Sequence, residues 1–258
     1  YLPTIAKLSR EIPQYSRINI IPHFTLRDDE QLRELPLYSA RGMNSFKVYM
    51  CGVKGIYPHQ DDGFILDAMQ RLKALPADPV LCIHAENTYI VDRAEQLLAD
   101  QPMNDLEQWR KTHPNIAEGE AVLRCAYLGG KTGVRTYVVH QSSKESMEVL
   151  SKAKHERFYV ETTSPYLTRD TSSKVGAYGK MLPPFREPES RLALWDGIRK
   201  GLIDTIGTDN VTMTSAEKKM PQGMAGADAG YPALGTHLVS VLNEVFSGRR
   251  SHWKSSFP

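Results

Sequence analysis

Six short strand-like runs, separated by segments of helical or loop character, constrain this chain more than any other feature. They are INIIPHF at 18–24, SFKVYM at 45–50, PVLCIHA at 79–85, RTYVVHQ at 135–141, RFYVETT at 157–163 and DTIGTD at 204–209. Between the second and third runs, Phe64, Ala68, Leu72 and Leu75 recur every three to four residues, the spacing of one helix face. Ser142 and Glu145 are spaced as a capping box ahead of Met147, Val149 and Leu150. Pro188 opens and Gly201 closes a helix over PESRLALWDGIRK, whereas Pro36 interrupts one drawn over 29–41. Strands alternating with helices imply βαβ units and a parallel sheet. No glycine-rich fingerprint follows a strand, because Gly129-Gly130 ends a helix, and a doubly wound nucleotide-binding sheet is disfavoured. A (β/α) barrel fits better, although a full one has eight strands.

The 258 residues suit one barrel domain, 1–258, in which 211–258 forms a long loop and the helix THLVSVLNEVF. A formal charge of +2 gives no strong field for nucleic acid or an anionic membrane. No apolar run reaches transmembrane length and no signal peptide is visible. Cys51, Cys82 and Cys125 form no CxxC pair, which suits a reducing compartment, and the expected location is cytoplasmic. The chain opens on Tyr1 rather than methionine, as a sequence beginning inside a longer protein would.

SFKVYM raises a specific question. Side chains alternate along a strand, so Phe46 and Val48 share one face while Ser45, Lys47 and Tyr49 share the other. Lys47 is then either a surface lysine of a half-buried strand, or a buried one that has become chemically useful. Catalytic residues of a (β/α) barrel stand at the C-terminal ends of its strands. That rule selects Lys47, His84, His140 and Asp209. One histidine ending an apolar strand is more often structural. Two of them with an aspartate, at the same end of parallel strands, suit Zn²⁺ or a similar divalent metal.

In the order SFKVYM, CIHAEN, VVHQSS, LPPFREPESRLALWDGI and IGTDN, the chain resembles the cyclic amidohydrolases: hydantoinases, dihydropyrimidinases, allantoinases and dihydroorotases. The resemblance runs from about 18 to 240. It implies a (β/α)8 TIM-type barrel of which the six runs are strands three to eight. It also implies that Lys47 is carboxylated and bridges two metals, with His84, His140 and Asp209 as further ligands. The metals would be zinc, or manganese, iron or cobalt. Carboxylation needs the neutral amine, which burial favours. A hydroxide between the metals would open the ring of a small cyclic amide or imide, with Asp209 moving its proton. Leu182, Arg186, Gln222 and Gly223 fall on substrate-contacting segments, and a homodimer or homotetramer is implied.

The pattern also departs from the family. No HxH pair is present, since His23 precedes Phe24-Thr25 and His59 precedes Gln60-Asp61. Gly52 stands where hydantoin- and dihydropyrimidine-opening relatives carry a tyrosine, Leu182 where a serine or asparagine is common, and Asn210 where a histidine often follows the aspartate. PQGMAG resembles their PNGxxG, with Gln222 for asparagine. A second reading is therefore a non-catalytic scaffold like the dihydropyrimidinase-related proteins, and a third is a mononuclear enzyme acting on another amide. Of the remaining residues, Cys82 reads as core and His23 as structural or pocket lining. Arg186 could contact substrate or cap the following helix, and Glu161 and Thr163 would line the pocket. Trp195 and Met147 pack helix faces.

Overall fold

The structure is a computed structural model and describes residues 1–247. Helix α1 (Leu2–Tyr15) leads to strand β1 (Phe24–Thr25), helix α2 (Asp29–Ser39), strand β2 (Ser45–Tyr49), helix α3 (Asp62–Lys73) and strand β3 (Val80–His84). Three helices follow, α4 (Thr88–Leu97), α5 (Leu106–Lys111) and α6 (Asn115–Thr132), before strand β4 (Arg135–Val138) and helix α7 (Lys144–Ala153). The chain continues through strand β5 (Phe158–Thr163), helices α8 (Ser164–Thr168) and α9 (Pro188–Arg199), and strand β6 (Thr205–Gly207). Helices α10 (Gly223–Gly226) and α11 (His237–Phe246) complete it.

Two compact units divide these residues. The first comprises Tyr1–Ala85, Arg124–Val138 and His155–Tyr159. The second comprises Glu86–Leu123, Val139–Lys154 and the chain from Val160. In the first unit β1, β2, β3 and β4 form a parallel ladder, in which Lys47 lies opposite Cys82 and Tyr49 opposite His84. The Thr136 amide also bonds the Arg157 carbonyl at 3.0 Å, bringing the start of β5 beside β4. In the second unit β5 pairs with β6, Glu161 opposite Thr205 and Thr163 opposite Gly207, again parallel. Strand neighbours thus follow chain order.

Local chemistry explains most element ends. Asp28, Asp61, Asn87, Asp105 and Ser143 each accept a first-turn amide with the side chain, satisfying donors that a helix start leaves orphaned. Gly201, at φ +68°, follows α9, so the Pro188 start and Gly201 stop stand as read from sequence. In the first unit Phe46 and Val48 are fully buried on one face of β2. Leu32, Leu35 and Tyr38 of α2 and Ile65, Ala68, Met69 and Leu72 of α3 are buried with them, so the core lies between strand and helix layers.

Four local expectations change. The first run shortens to Phe24–Thr25, with Ile18, Ile20 and Ile21 exposed, and Pro22 within it has no N–H for a ladder. Helix α2 continues through Pro36 to Ser39. Helix α6 runs through Gly129-Gly130 and reaches Thr132, before Gly133 at φ +68°. Gly129 serves a close approach instead: a Cβ there would lie 2.6 Å from Thr136 Oγ1 on β4. Finally, Ser143 rather than Ser142 caps α7, since its hydroxyl accepts from the Ser146 amide at 3.2 Å.

Candidate active site

In the first unit the β2–β3 register assembles a polar and aromatic cluster. Lys47 and Tyr49 share a face of β2 and are half-buried, so Lys47 is less enclosed than the sequence suggested. Its Nζ lies 5.2 Å from the centre of the Tyr49 ring, whose face attracts an ammonium. The Tyr49 ring lies 5.5 Å from that of His84, which ends β3 and is 4% exposed. Tyr57 stacks on Tyr49, with ring centres 4.5 Å apart at 7°, and the Arg27 guanidinium lies 5.2 Å from the centre of the Tyr57 ring. Gly52 makes that stack possible. A Cβ at 52 would sit 2.7 Å from the Tyr57 carbonyl oxygen and 2.8 Å from the His59 amide nitrogen, so the returning loop leaves no room for a tyrosine there.

His23 contacts the Ser45 hydroxyl through Nδ1, which also lies 3.7 Å from Cys82 Sγ. Burial first, and then the charge of Lys47, hold its imidazole below the ordinary histidine range. Cys82 is 2% exposed and belongs to the core, as read from sequence.

In the second unit His140 and Asp209 each lie two residues beyond the end of a strand, β4 and β6, and both have φ +45°. This left-handed region costs a non-glycine residue roughly 1–2 kcal/mol, and such strain concentrates at functional sites. The turn after His140 is held on every side. The His140 amide donates to Glu161 Oε1 at 3.3 Å and the Gln141 amide to the Glu161 carbonyl at 2.7 Å. Ser142 and Ser143 donate to Glu118, which is fully buried. Asp209 is half-buried, and its charge, after burial itself, raises the pKa of the enclosed Tyr166 phenol. That phenol donates to the Pro183 carbonyl.

Arg186 is buried and precedes Glu187, the residue at the N-cap of α9. Its guanidinium donates to Ser142 Oγ at 2.9 Å, to the His113 carbonyl, and to Glu86 Oε1 at 3.4 Å, in an ion pair whose side chains are both 1% exposed. Separating such a pair by truncating one partner costs about 3–5 kcal/mol. Leu182, four residues earlier, is half-buried, while Gln222 and Gly223 are exposed. Two buried lysines fasten the loop that carries Gln222. Lys218 Nζ donates to the carbonyls of Lys180, Asp228 and Gly230 at 2.9, 2.9 and 2.6 Å. Lys180 donates to those of Met224 and Ala225 and lies 4.4 Å over the Trp109 ring. Burial, then the neighbouring Lys180 charge, bring the Lys218 pKa down to about 8.

Among the described residues no three His, Cys, Asp or Glu side chains gather as a metal-holding group. Each unit taken alone carries two of the four expected donors, Lys47 with His84 and His140 with Asp209. That is fewer than the three protein ligands of a catalytic zinc. The donor chemistry itself fits a divalent cation: two imidazoles, a carboxylate, and an amine that carbamylation would make anionic.

No family model matches the chain. The L-hydantoinase of Paenarthrobacter aurescens is 31% identical over 218 residues, 81% of this chain and 47% of that protein. A dihydroorotase of a Geobacillus species is 30% identical over 248 residues, 91% of this chain and 55% of the other. The solved L-hydantoinase from Arthrobacter aurescens superposes with a TM-score of 0.88 at 26% identity, covering 98% of this chain and 57% of that one. The chain belongs to the cyclic amidohydrolases. Its fold is the amidohydrolase TIM barrel, and it spans about half the length of the curated relatives it matches.

Several buried charged residues that hold the loops beside the expected site residues escaped the sequence reading. Glu86 lies two positions after His84 inside the quoted CIHAEN, and an acidic residue directly after the apolar run at 79–85 was a usable signal. Glu118, Lys180 and Lys218 had none, because the groups they bond are distant in sequence or are backbone carbonyls.

Proposed function

We propose that this amidohydrolase hydrolyses the C–N bond of a small cyclic amide or imide, such as a hydantoin or dihydropyrimidine, with the help of divalent metal. The observation that carries the reading is positional. Lys47 stands at the middle of β2, two residues before its C-terminal end, His84 ends β3, and His140 and Asp209 follow β4 and β6, in the fold of a hydantoinase. The metals, zinc or a similar pair, would be held by Lys47, His84, His140 and Asp209. A cation bound there supplies Lewis acidity and makes a bound water acidic enough to react near neutral pH.

The chain's own groups do the rest. The Lys47 amine, when neutral, can take up carbon dioxide and become an anionic ligand. His84 and His140 offer neutral imidazole nitrogens. Asp209 accepts a proton on its carboxylate and returns it to the departing amide nitrogen. The segment at Leu182 and the loop at Gln222 and Gly223 border the ring, and Arg186 acts by locking Ser142, His113 and Glu86 together. Three widely spaced cysteines without a CxxC pair suit a reducing, cytoplasmic setting. Among the described residues no helix is long and apolar enough to cross a membrane. Assembly as a homodimer or homotetramer belongs to the same reading.

The test is ring opening by the full-length protein across hydantoins, dihydropyrimidines and dihydroorotate, with and without a chelator. Chelator-sensitive opening of at least one ring, lost in His140→Ala, is expected. No opening of any ring by metal-loaded, folded protein would contradict the proposal.

A further inference from the structure

The turn that carries His140 is held by a buried carboxylate with no part in the proposed chemistry. Glu118 lies on α6 and is fully buried. Its Oε1 accepts the Ser142 amide at 2.8 Å and the Ser142 hydroxyl at 2.9 Å. Its Oε2 accepts the Ser143 amide at 2.7 Å and the Ser146 hydroxyl at 2.9 Å. Four donors thus converge on one charge, each bond of the stronger, charge-assisted kind. Gly119 permits this reach, since a Cβ there would press on Glu145 at 3.1 Å and keep α6 away from the start of α7. Two residues before Ser142, His140 occupies left-handed backbone, a conformation that persists only where its surroundings enforce it.

We propose that Glu118 is a positioning residue for His140: it fixes the Ser142–Ser146 segment and so keeps the His140 backbone in the strained conformation that presents its imidazole. The inference rests on the reading of His140 as a metal ligand. It also explains why Ser142 does not cap α7, because its hydroxyl is bonded to Glu118.

Glutamine is the informative replacement. It retains one oxygen, but its NH₂ would face two donors in place of an acceptor. The experiment measures zinc affinity by competition with a chelating dye, well below the melting temperature, on full-length wild type, Glu118→Gln and Gly129→Ala. The last variant is destabilised by crowding against Thr136 and serves as a control for stability alone. Glu118→Gln should bind zinc about 10–100-fold more weakly, the usual effect of losing a group that orients a ligand, while Gly129→Ala binds as wild type. Equal affinity in Glu118→Gln, or an equal loss in Gly129→Ala, would overturn the proposal. Should Glu118→Gln fail to fold, Ser146→Ala removes one of the four bonds and should weaken zinc binding on the order of threefold; no change there would overturn it too. Hydrogen exchange at the Gln141, Ser142 and Ser143 amides separates the two readings. Wild type that binds no zinc would remove His140 as a ligand, whereas unaltered exchange in the variant would by itself refute positioning by Glu118.

Discussion

Lys47 is half-buried, beside the Tyr49 ring and on the same strand face. A lysine so placed can hold its charge against the ring or lose it to a carbamate, and the proposed chemistry needs the second state. Lys47→Ala should therefore abolish metal-dependent turnover, and a short-chain carboxylate added to the variant should restore part of it; wild-type turnover in the variant would exclude the role. Lys218 makes a contrasting case. Its ammonium has three carbonyl acceptors but is buried near Lys180, and its pKa falls from 10.5 to about 8. Between those pH values the folded chain binds fewer protons than the unfolded one. The group's contribution to stability therefore grows as pH rises from 8 to 10.5 and is lost as pH falls through 8. Melting temperatures of wild type minus Lys218→Met should accordingly increase across that interval, and a flat difference would contradict the assignment.

At the scale of elements, strands and helices were legible where a pattern is local. The alternation in SFKVYM put Phe46 and Val48 on the buried face, and Pro188 with Gly201 bracketed α9. What failed depended on distant partners. Ser142 looked like a cap until Glu118, 24 residues away, claimed its hydroxyl. Gly129 looked like a stop, yet it answers to the close approach of Thr136. Gly52 belongs to the same class. It was read as the absence of a tyrosine, whereas it lets the loop from Val53 to His59 return and stack Tyr57 on Tyr49. Gly52→Ala should cost about 1–3 kcal/mol through backbone crowding and weaken the near-ultraviolet tyrosine signal. An unchanged melting temperature with an unchanged spectrum would show that the loop adapts freely.

For the whole molecule, the family was legible because the five quoted segments occur in the family's order, and the hydantoinase superposition agrees with that reading. The supporting residues were not legible, because hydrogen bonds among Glu118, Ser142, Arg186 and Glu86 leave no periodic trace in sequence. Residues 1–258 contain no HxH pair and span about half of the matched relatives, so the decisive experiment belongs to the full-length protein. That measurement is its metal content by plasma mass spectrometry after purification in bicarbonate. The account predicts roughly two divalent ions per chain in wild type and a clear loss in Lys47→Ala; folded wild-type protein with metal near zero would contradict it.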